Sequence, residues 1–299
     1  LDNVSHILCN GNSSGAISAT TKGGVAPYKY SWSNGKTTED ISSLVAGKYS
    51  VTVTDAHGCT ASVATTVKEP APFVASLLSV RDIKCNGDKN GEVKINVRGG
   101  QRPYKFVWSN GDTTQNISNV GAGSYSVSIT DKNGCKQAVS ATISQPSRLV
   151  ASLISSKNVS CNATSTGSIN ITVVGGATPY SYNWSNGAKT QDLDNIPAGR
   201  YSVGITDANG CKDSTIVVQI TEPDKLIAKR ESVSDITTYG KSTGAIDISV
   251  NGGTAPYVYS WSNGATTQDI SAIPAGNYSL RVVDTKGCES VVETFVKQP

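Results

Sequence analysis

The sequence predicts an all-β protein, built as four tandem sandwich domains strung into an extended rod. Three observations carry that expectation. First, the chain repeats itself: Trp32, Trp108, Trp184 and Trp261 stand 76, 76 and 77 residues apart, and the Gly-Gly pairs beginning at Gly23, Gly99, Gly175 and Gly252 keep the same spacing. A fixed period of this kind decides the architecture before any local reading does. Second, short runs within each unit alternate apolar and polar residues, the period of a half-buried strand. Third, no segment shows a period of 3.6, and Gly, Pro and Asn punctuate the runs, so helix content should be near zero.

Composition narrows the function classes. Charged residues make up 16% of the 299 residues and the formal net charge is +3. So even a balance leaves no electrostatic footprint for nucleic acid or for an anionic membrane surface. Ser, Thr, Asn and Gly dominate the polar positions, which suits the exposed strands and turns of a secreted protein. No apolar run approaches the roughly 20 residues that span a bilayer, so membrane insertion is not expected. Leu1 falls just before the first cysteine of a unit with no signal peptide ahead of it, which reads as a piece excised from a longer polypeptide.

Proline-bearing joints divide the units: "EPAP" at 69–72, "QPSR" at 145–148, "EPDK" at 222–225 and a terminal "QP". The expected domains are therefore 1–70, 71–146, 147–223 and 224–299. Each joint leads into an apolar first strand such as "FVASLLSV". A polar loop follows, beginning "CNG" in the first two copies. In the next strand Val93, Ile95 and Val97 point one way and Lys94, Asn96 and Arg98 the other. Ile169, Ile171, Val173 and Ile246, Ile248, Val250 repeat the pattern, and Ile17, Ala19, Thr21 give a weaker version.

The strand "YSWSNG" at 30–35 comes next, with Tyr28, Tyr30 and Trp32 on one face. Its Asn-Gly predicts a type I′ hairpin turn, since both residues tolerate positive φ. A short "TTEDI"-like strand follows. Then Tyr49, Val51 and Val53 alternate with Ser50, Thr52 and Thr54, as do the runs from Tyr125, Tyr201 and Tyr278. The approaches "LVAGKY", "VGAGSY", "IPAGRY" and "IPAGNY" resemble a tyrosine corner, in which the hydroxyl bonds back to upstream backbone. A "TDxxGC" or "VDxxGC" turn leads into the last strand. About six strands in 76 residues bury limited apolar area, so a covalent staple is expected.

Seven cysteines supply candidates. Cys9 and Cys59 are 50 residues apart, as are Cys85 and Cys135, and Cys161 and Cys211; the fourth copy has Cys288 but Thr238 at the matching position. Fixed thiols in separate units read as a disulfide framework from an oxidising compartment. Pairing within copies (Cys9–Cys59, Cys85–Cys135, Cys161–Cys211, with Cys288 unpaired) closes each domain on itself and is the expectation taken forward. The rival, Cys59–Cys85 and Cys135–Cys161, shares one spacing of 26, and spacing does not separate the two.

Candidates for site chemistry are few. "YSWSNG" offers two aromatics, two hydroxyls and an amide, the ingredients of a sugar platform. Yet Phe106 replaces the tyrosine in the second copy while all four copies keep Trp, which favours a core position. Asp88, Asn90 and Glu92 alternate in one loop as calcium ligands might, but the matching positions elsewhere include Lys241 and Ala245. The recurring Asp55, Asp131, Asp207 and Asp284 fit turn-forming aspartates. Neither His6 nor His57 recurs, so no repeated base serves the many serines, and no catalysis and no cofactor are expected.

The unit "CNG…GxI…GGxxPYxYxWSNGxTTqdIxxLpAGxYxVxVTDxxGC" resembles the SprB repeat over essentially the whole chain, four times. The resemblance implies immunoglobulin-like sandwiches, export through the type IX secretion system, and display on the outer-membrane surface as part of gliding-motility adhesins of Bacteroidetes. It implies neighbouring repeats and the motility or secretion machinery as partners, and carries no catalytic residues. Ala163 departs from the glycine of "CNG", and "TTYG" (237–240) replaces the cysteine segment in copy four. The function expected is a structural stalk presenting a distal adhesive region; the alternative is a carbohydrate-binding module gripping surface polysaccharide.

Overall fold

A computed structural model describes Leu1–Pro299, apart from the side chains of Ser214 and Thr215. The chain forms two compact units, Leu1–Gln145 and Pro146–Pro299. Each unit contains two separate hydrophobic cores.

In the first copy the strands are β1 (Asn3–Ser5), β2 (Gly15–Ser18), β3 (Lys29–Trp32), β4 (Ile41–Leu44), β5 (Gly47–Thr54) and β6 (Thr60–Val67). They form two three-stranded antiparallel sheets, ordered β1-β2-β4 and β3-β5-β6. The second copy repeats them as β7 (Val74–Arg81), β8 (Gly91–Arg98), β9 (Lys105–Trp108), β10 (Ile117–Val120), β11 (Gly123–Thr130) and β12 (Lys136–Ile143). Copies three and four follow the same order, giving eight three-stranded sheets. Each pair of sheets closes over one core, as period-two patterning demands.

The alternation in the sequence becomes the inner faces. Ile17, Val93, Ile95, Ile169, Ile171, Ile246 and Ile248 are buried on one sheet, and Val51, Val127, Val203 and Leu280 on the other. All four tryptophans are 2–5% exposed and each indole N–H donates to a backbone carbonyl six residues on: Thr38, Thr114, Thr190 and Thr267. The tyrosine corners form as the sequence predicts. The hydroxyls of Tyr49, Tyr125, Tyr201 and Tyr278 donate to the carbonyls of Val45, Gly121, Pro197 and Pro274, at 2.8–3.0 Å.

Two local expectations are corrected. Asn-Gly does not make a type I′ turn. The Gly35 N–H donates to Trp32 O and Trp32 N–H to Lys36 O, and only Gly35, not Asn34, has positive φ. That is the three-residue pattern of a type I turn closed by a left-handed glycine. Asn34 earns its place differently, accepting the Lys36 N–H on its side chain. Nor does the "TTEDI" segment extend as a strand from its first threonine: β4 begins at Ile41 and pairs with β2, in the sheet opposite Trp32.

The Gly-Gly pair shows why copies two to four need glycine there. Gly252 has φ +71°, and a Cβ on it would lie 2.1 Å from the Lys225 carbonyl oxygen. Gly23 has φ +79° and nothing within 4 Å. Gly23→Ala should therefore cost only the left-handed strain, about 1–2 kcal/mol. Gly252→Ala adds a backbone collision and should cost clearly more, because the chain entering the fourth copy must shift. Denaturant unfolding of the two variants checks this; equal losses would contradict it.

Candidate functional site

The residues of W-S-N-G are spent on the fold. Besides Trp and the turn, Ser33, Ser109, Ser185 and Ser262 each accept a backbone N–H from the neighbouring strand, from Ser50, Ser126, Ser202 and Ser279. The tyrosine hydroxyls of this strand are also engaged: Tyr30 with Glu39, Tyr182 with Gln191 and Tyr259 with Gln268. No aromatic face of this strand's tryptophan is left to stack on a sugar. The calcium candidates Asp88, Asn90 and Glu92 are not gathered as ligands. The Asn90 amide donates to Asp88 at 3.4 Å, while Glu92, on β8, pairs with Lys94 at 3.3 Å. Among the described residues no group of three or more His, Cys, Asp or Glu is placed to hold a metal.

The recurring aspartates do more than cap their own turns. One carboxylate oxygen of Asp284 accepts the N–H groups of Lys286 and Cys288, and the other reaches back to Thr254 in the Gly-Gly loop. Asp55, Asp131 and Asp207 tie the same two loops together. The Val25 N–H, then that of Cys59, hold the Asp55 carboxyl below the usual range; for Asp207 the Ala177 N–H leads. Burial pushes Asp284 up, but the N–H groups of Cys288, Thr254, Lys286 and Gly287 together outweigh it and leave it lowered.

A carboxylate lowered by folding stabilises above its unfolded pKa, near 3.9, and that stabilisation is lost as pH falls through the folded values. Thermal stability should accordingly drop as pH falls below about 4. The triple variant Asp55→Asn, Asp207→Asn, Asp284→Asn should be less stable at neutral pH and show a flatter acid limb. An unchanged acid limb would count against the aspartates.

A latch that sequence reading missed joins each "CNG"-type loop to the end of its own copy. Gly11 N–H donates to the Glu69 carboxylate at 2.8 Å, Gly87 to Gln145 at 2.8 Å, Ala163 to Glu222 at 2.7 Å and Gly240 to Gln298 at 3.5 Å. The signal was visible: each acceptor stands directly before a joint proline. The third loop position is left-handed, and Ala163 occupies it at φ 58° where the other copies have glycine. Ala163→Gly should raise stability by up to about 1 kcal/mol, reduced by glycine's extra unfolded-state entropy. A calorimetric shift in the opposite direction would refute this.

The cysteine pairing is corrected outright. Cys9 is bonded to Cys135 and Cys161 to Cys288, across 126 and 127 residues. Cys9–Cys59, Cys85–Cys135 and Cys161–Cys211 are therefore not formed, nor are the rival pairs Cys59–Cys85 and Cys135–Cys161. Cys288 is paired; Cys59 is free and exposed. Cys85 and Cys211 are disulfide-bonded as well. Topology gives the reason. The Ile7 N–H donates to Lys68 O, so the ends of β1 and β6 lie side by side. Cys9 follows the end of β1, whereas Cys59 precedes the start of β6, an eight-residue strand away. That strand is about 27 Å long, far beyond disulfide reach. Each of the first three sandwiches thus carries one cysteine at either end, and the fourth carries Cys288 alone.

A profile described as SprB repeat matches residues 1–37, 77–113, 153–189 and 230–266, each match ending two residues past W-S-N-G. Among curated proteins nothing matches. Solved structures that are similar include three N-terminal domains of the bacteriophage RB49 outer capsid protein Hoc, at 14% identity and TM-score 0.37, covering 76% of this chain and 99% of that one. The eight N-terminal Ig domains of Down Syndrome Cell Adhesion Molecule are 11% identical at TM-score 0.37, over 97% of this chain and 44% of that one. The insect immune protein hemolin is 14% identical at TM-score 0.26, over 99% of both. By its repeated motif and the fourfold profile match, the chain belongs to the SprB repeat family, of which it carries four copies.

Proposed function

We propose that the chain is a spacer segment of a large secreted cell-surface adhesin of gliding bacteria, exported by type IX secretion, which extends a distal adhesive region from the outer membrane. The observation that carries this reading is the direction of the disulfides. Cys9–Cys135 and Cys161–Cys288 run from one copy's loop to the last turn of the following copy, so the covalent reinforcement lies across the joint. A free-standing binding domain gains more from closing on itself. In a load-bearing array the joint is where tension would first act, and these bonds cross it. Disulfides also require an oxidising compartment, consistent with an extracellular location. Each of the four expected domains, 1–70, 71–146, 147–223 and 224–299, serves as one interchangeable spacer, and an extended rod is the arrangement this role needs.

The rival reading is a carbohydrate-binding module. The folded chain, passed over immobilised bacterial polysaccharides and a glycan array, should show no retention. Saturable retention that disappears on unfolding would replace the spacer reading with the binding one.

A further inference from the structure

One end of the first copy is open where the same place in the others is filled. In copies two to four the residues just after the joint proline lie over the Gly-Gly pair. A Cβ at Gly99, Gly175 or Gly252 would meet the carbonyl oxygen of Pro72, Arg148 or Lys225 within about 2 Å, and one at Gly100, Gly176 or Gly253 would meet Phe73, Leu149 or Leu226. In the first copy Gly23 meets nothing and Gly24 meets only Asp55. A groove of about 180 Å³ remains, lined by Gly23, Gly24, Tyr28, Val53, Asp55 and Cys59 among others. Cys59 is exposed, whereas its counterparts Cys135 and Cys288 are 9% exposed.

We infer that this open end is an acceptor for another repeat of the same kind, whose joint covers Gly23–Gly24 and whose "CNG"-type cysteine bonds covalently to Cys59. The occupant is defined by the filled examples. Each supplies Glu or Gln, proline, two further residues and an apolar side chain: "EPAPF", "QPSRL" and "EPDKL". Two of the equivalent cysteines are already bonded to a preceding copy's loop cysteine. That loop is positioned by the latch on the joint, so joint and thiol arrive together. The fourth copy carries the loop without its thiol. It keeps the same turn, Lys241 N–H to Thr238 O at 3.2 Å as Asn12 N–H to Cys9 O at 3.1 Å, but Thr238 has no thiol. The inference stands whether or not the array serves as a spacer.

Bond formation is thiol–disulfide exchange. The incoming loop thiol first forms a mixed disulfide with oxidised glutathione, releasing one glutathione. The Cys59 thiolate then attacks that loop sulfur and expels the second, so two thiols are oxidised as one glutathione disulfide is reduced.

The test uses the full chain extended beyond Pro299 by a copy of Ser147–Ile154, with and without Thr238→Cys, in a glutathione redox buffer. The T238C form should give a reducible ladder of oligomers on non-reducing gels, with peptide mapping joining Cys59 to position 238. The ladder should vanish in C59S/T238C while near-ultraviolet circular dichroism stays native. Without T238C, the extended chain should remain unlinked and shield Cys59 from iodoacetamide as its concentration rises. Monomer only, links joining two positions 238, or links joining two Cys59 would each overturn the proposal, as would alkylation indifferent to concentration.

Discussion

Pulled by its two ends in an atomic force microscope, the oxidised chain should pay out only residues 1–9, 135–161 and 288–299, however many sandwiches unfold. The shortest covalent route from Leu1 to Pro299 crosses the Cys9–Cys135 and Cys161–Cys288 bonds and bypasses everything between those partners. Reduction should release the hidden loops of 126 and 127 residues. At roughly 3.5 Å per residue, that adds on the order of 900 Å of contour length. Pairing within copies would have hidden much shorter loops. An oxidised molecule that extends as far as a reduced one would show that these bonds do not carry the load.

Trp261→Ala should be the most damaging single core change in the fourth copy, costing about 3–5 kcal/mol, the usual range for removing a buried large aromatic. Trp261 is 5% exposed, packs in the core with Ile246, Leu280 and Val282, and holds the Thr267 carbonyl through its indole N–H at 2.9 Å. Trp261→Phe keeps most of the volume and loses that hydrogen bond, so about 1–2 kcal/mol is expected. Because each copy has its own core, the loss should surface as an early denaturant transition. Hydrogen exchange should confine it to residues of the fourth copy. A variant unfolding as one cooperative whole with the rest would contradict independent cores.

Much of the fold was legible because it rests on local chemistry. Alternation placed Ile169 and Ile171 inside, and the spacing from Pro197 to Tyr201 announced the corner bond. The tryptophans read as core because all four copies kept them. The Asn-Gly turn was misjudged because two turn types share that dipeptide, and the choice depends on Asn34 keeping negative φ. The cysteine pairing was out of reach for a different reason. Both sequence spacings, 50 and 26, were regular, yet the true partners are fixed by which ends of β1 and β6 lie together. That is a property of topology and not of spacing. The Glu/Gln-Pro latch was overlooked because a joint looks like a linker until its side chains are seen holding a loop.

The placing of one thiol at each end of a sandwich bears on how such a gene can grow. A duplicated copy inserted into the array brings one sulfur facing each neighbour, so every thiol in the interior still finds a mate and no reshuffling is required. Had the bonds closed within a copy, length could also grow, but each new joint would be held by packing alone. A lost cysteine, such as that replaced by Thr238, removes one link and leaves the others untouched. Lengthening by whole copies is therefore neutral to oxidative folding, and the array can vary in reach without relearning how to pair.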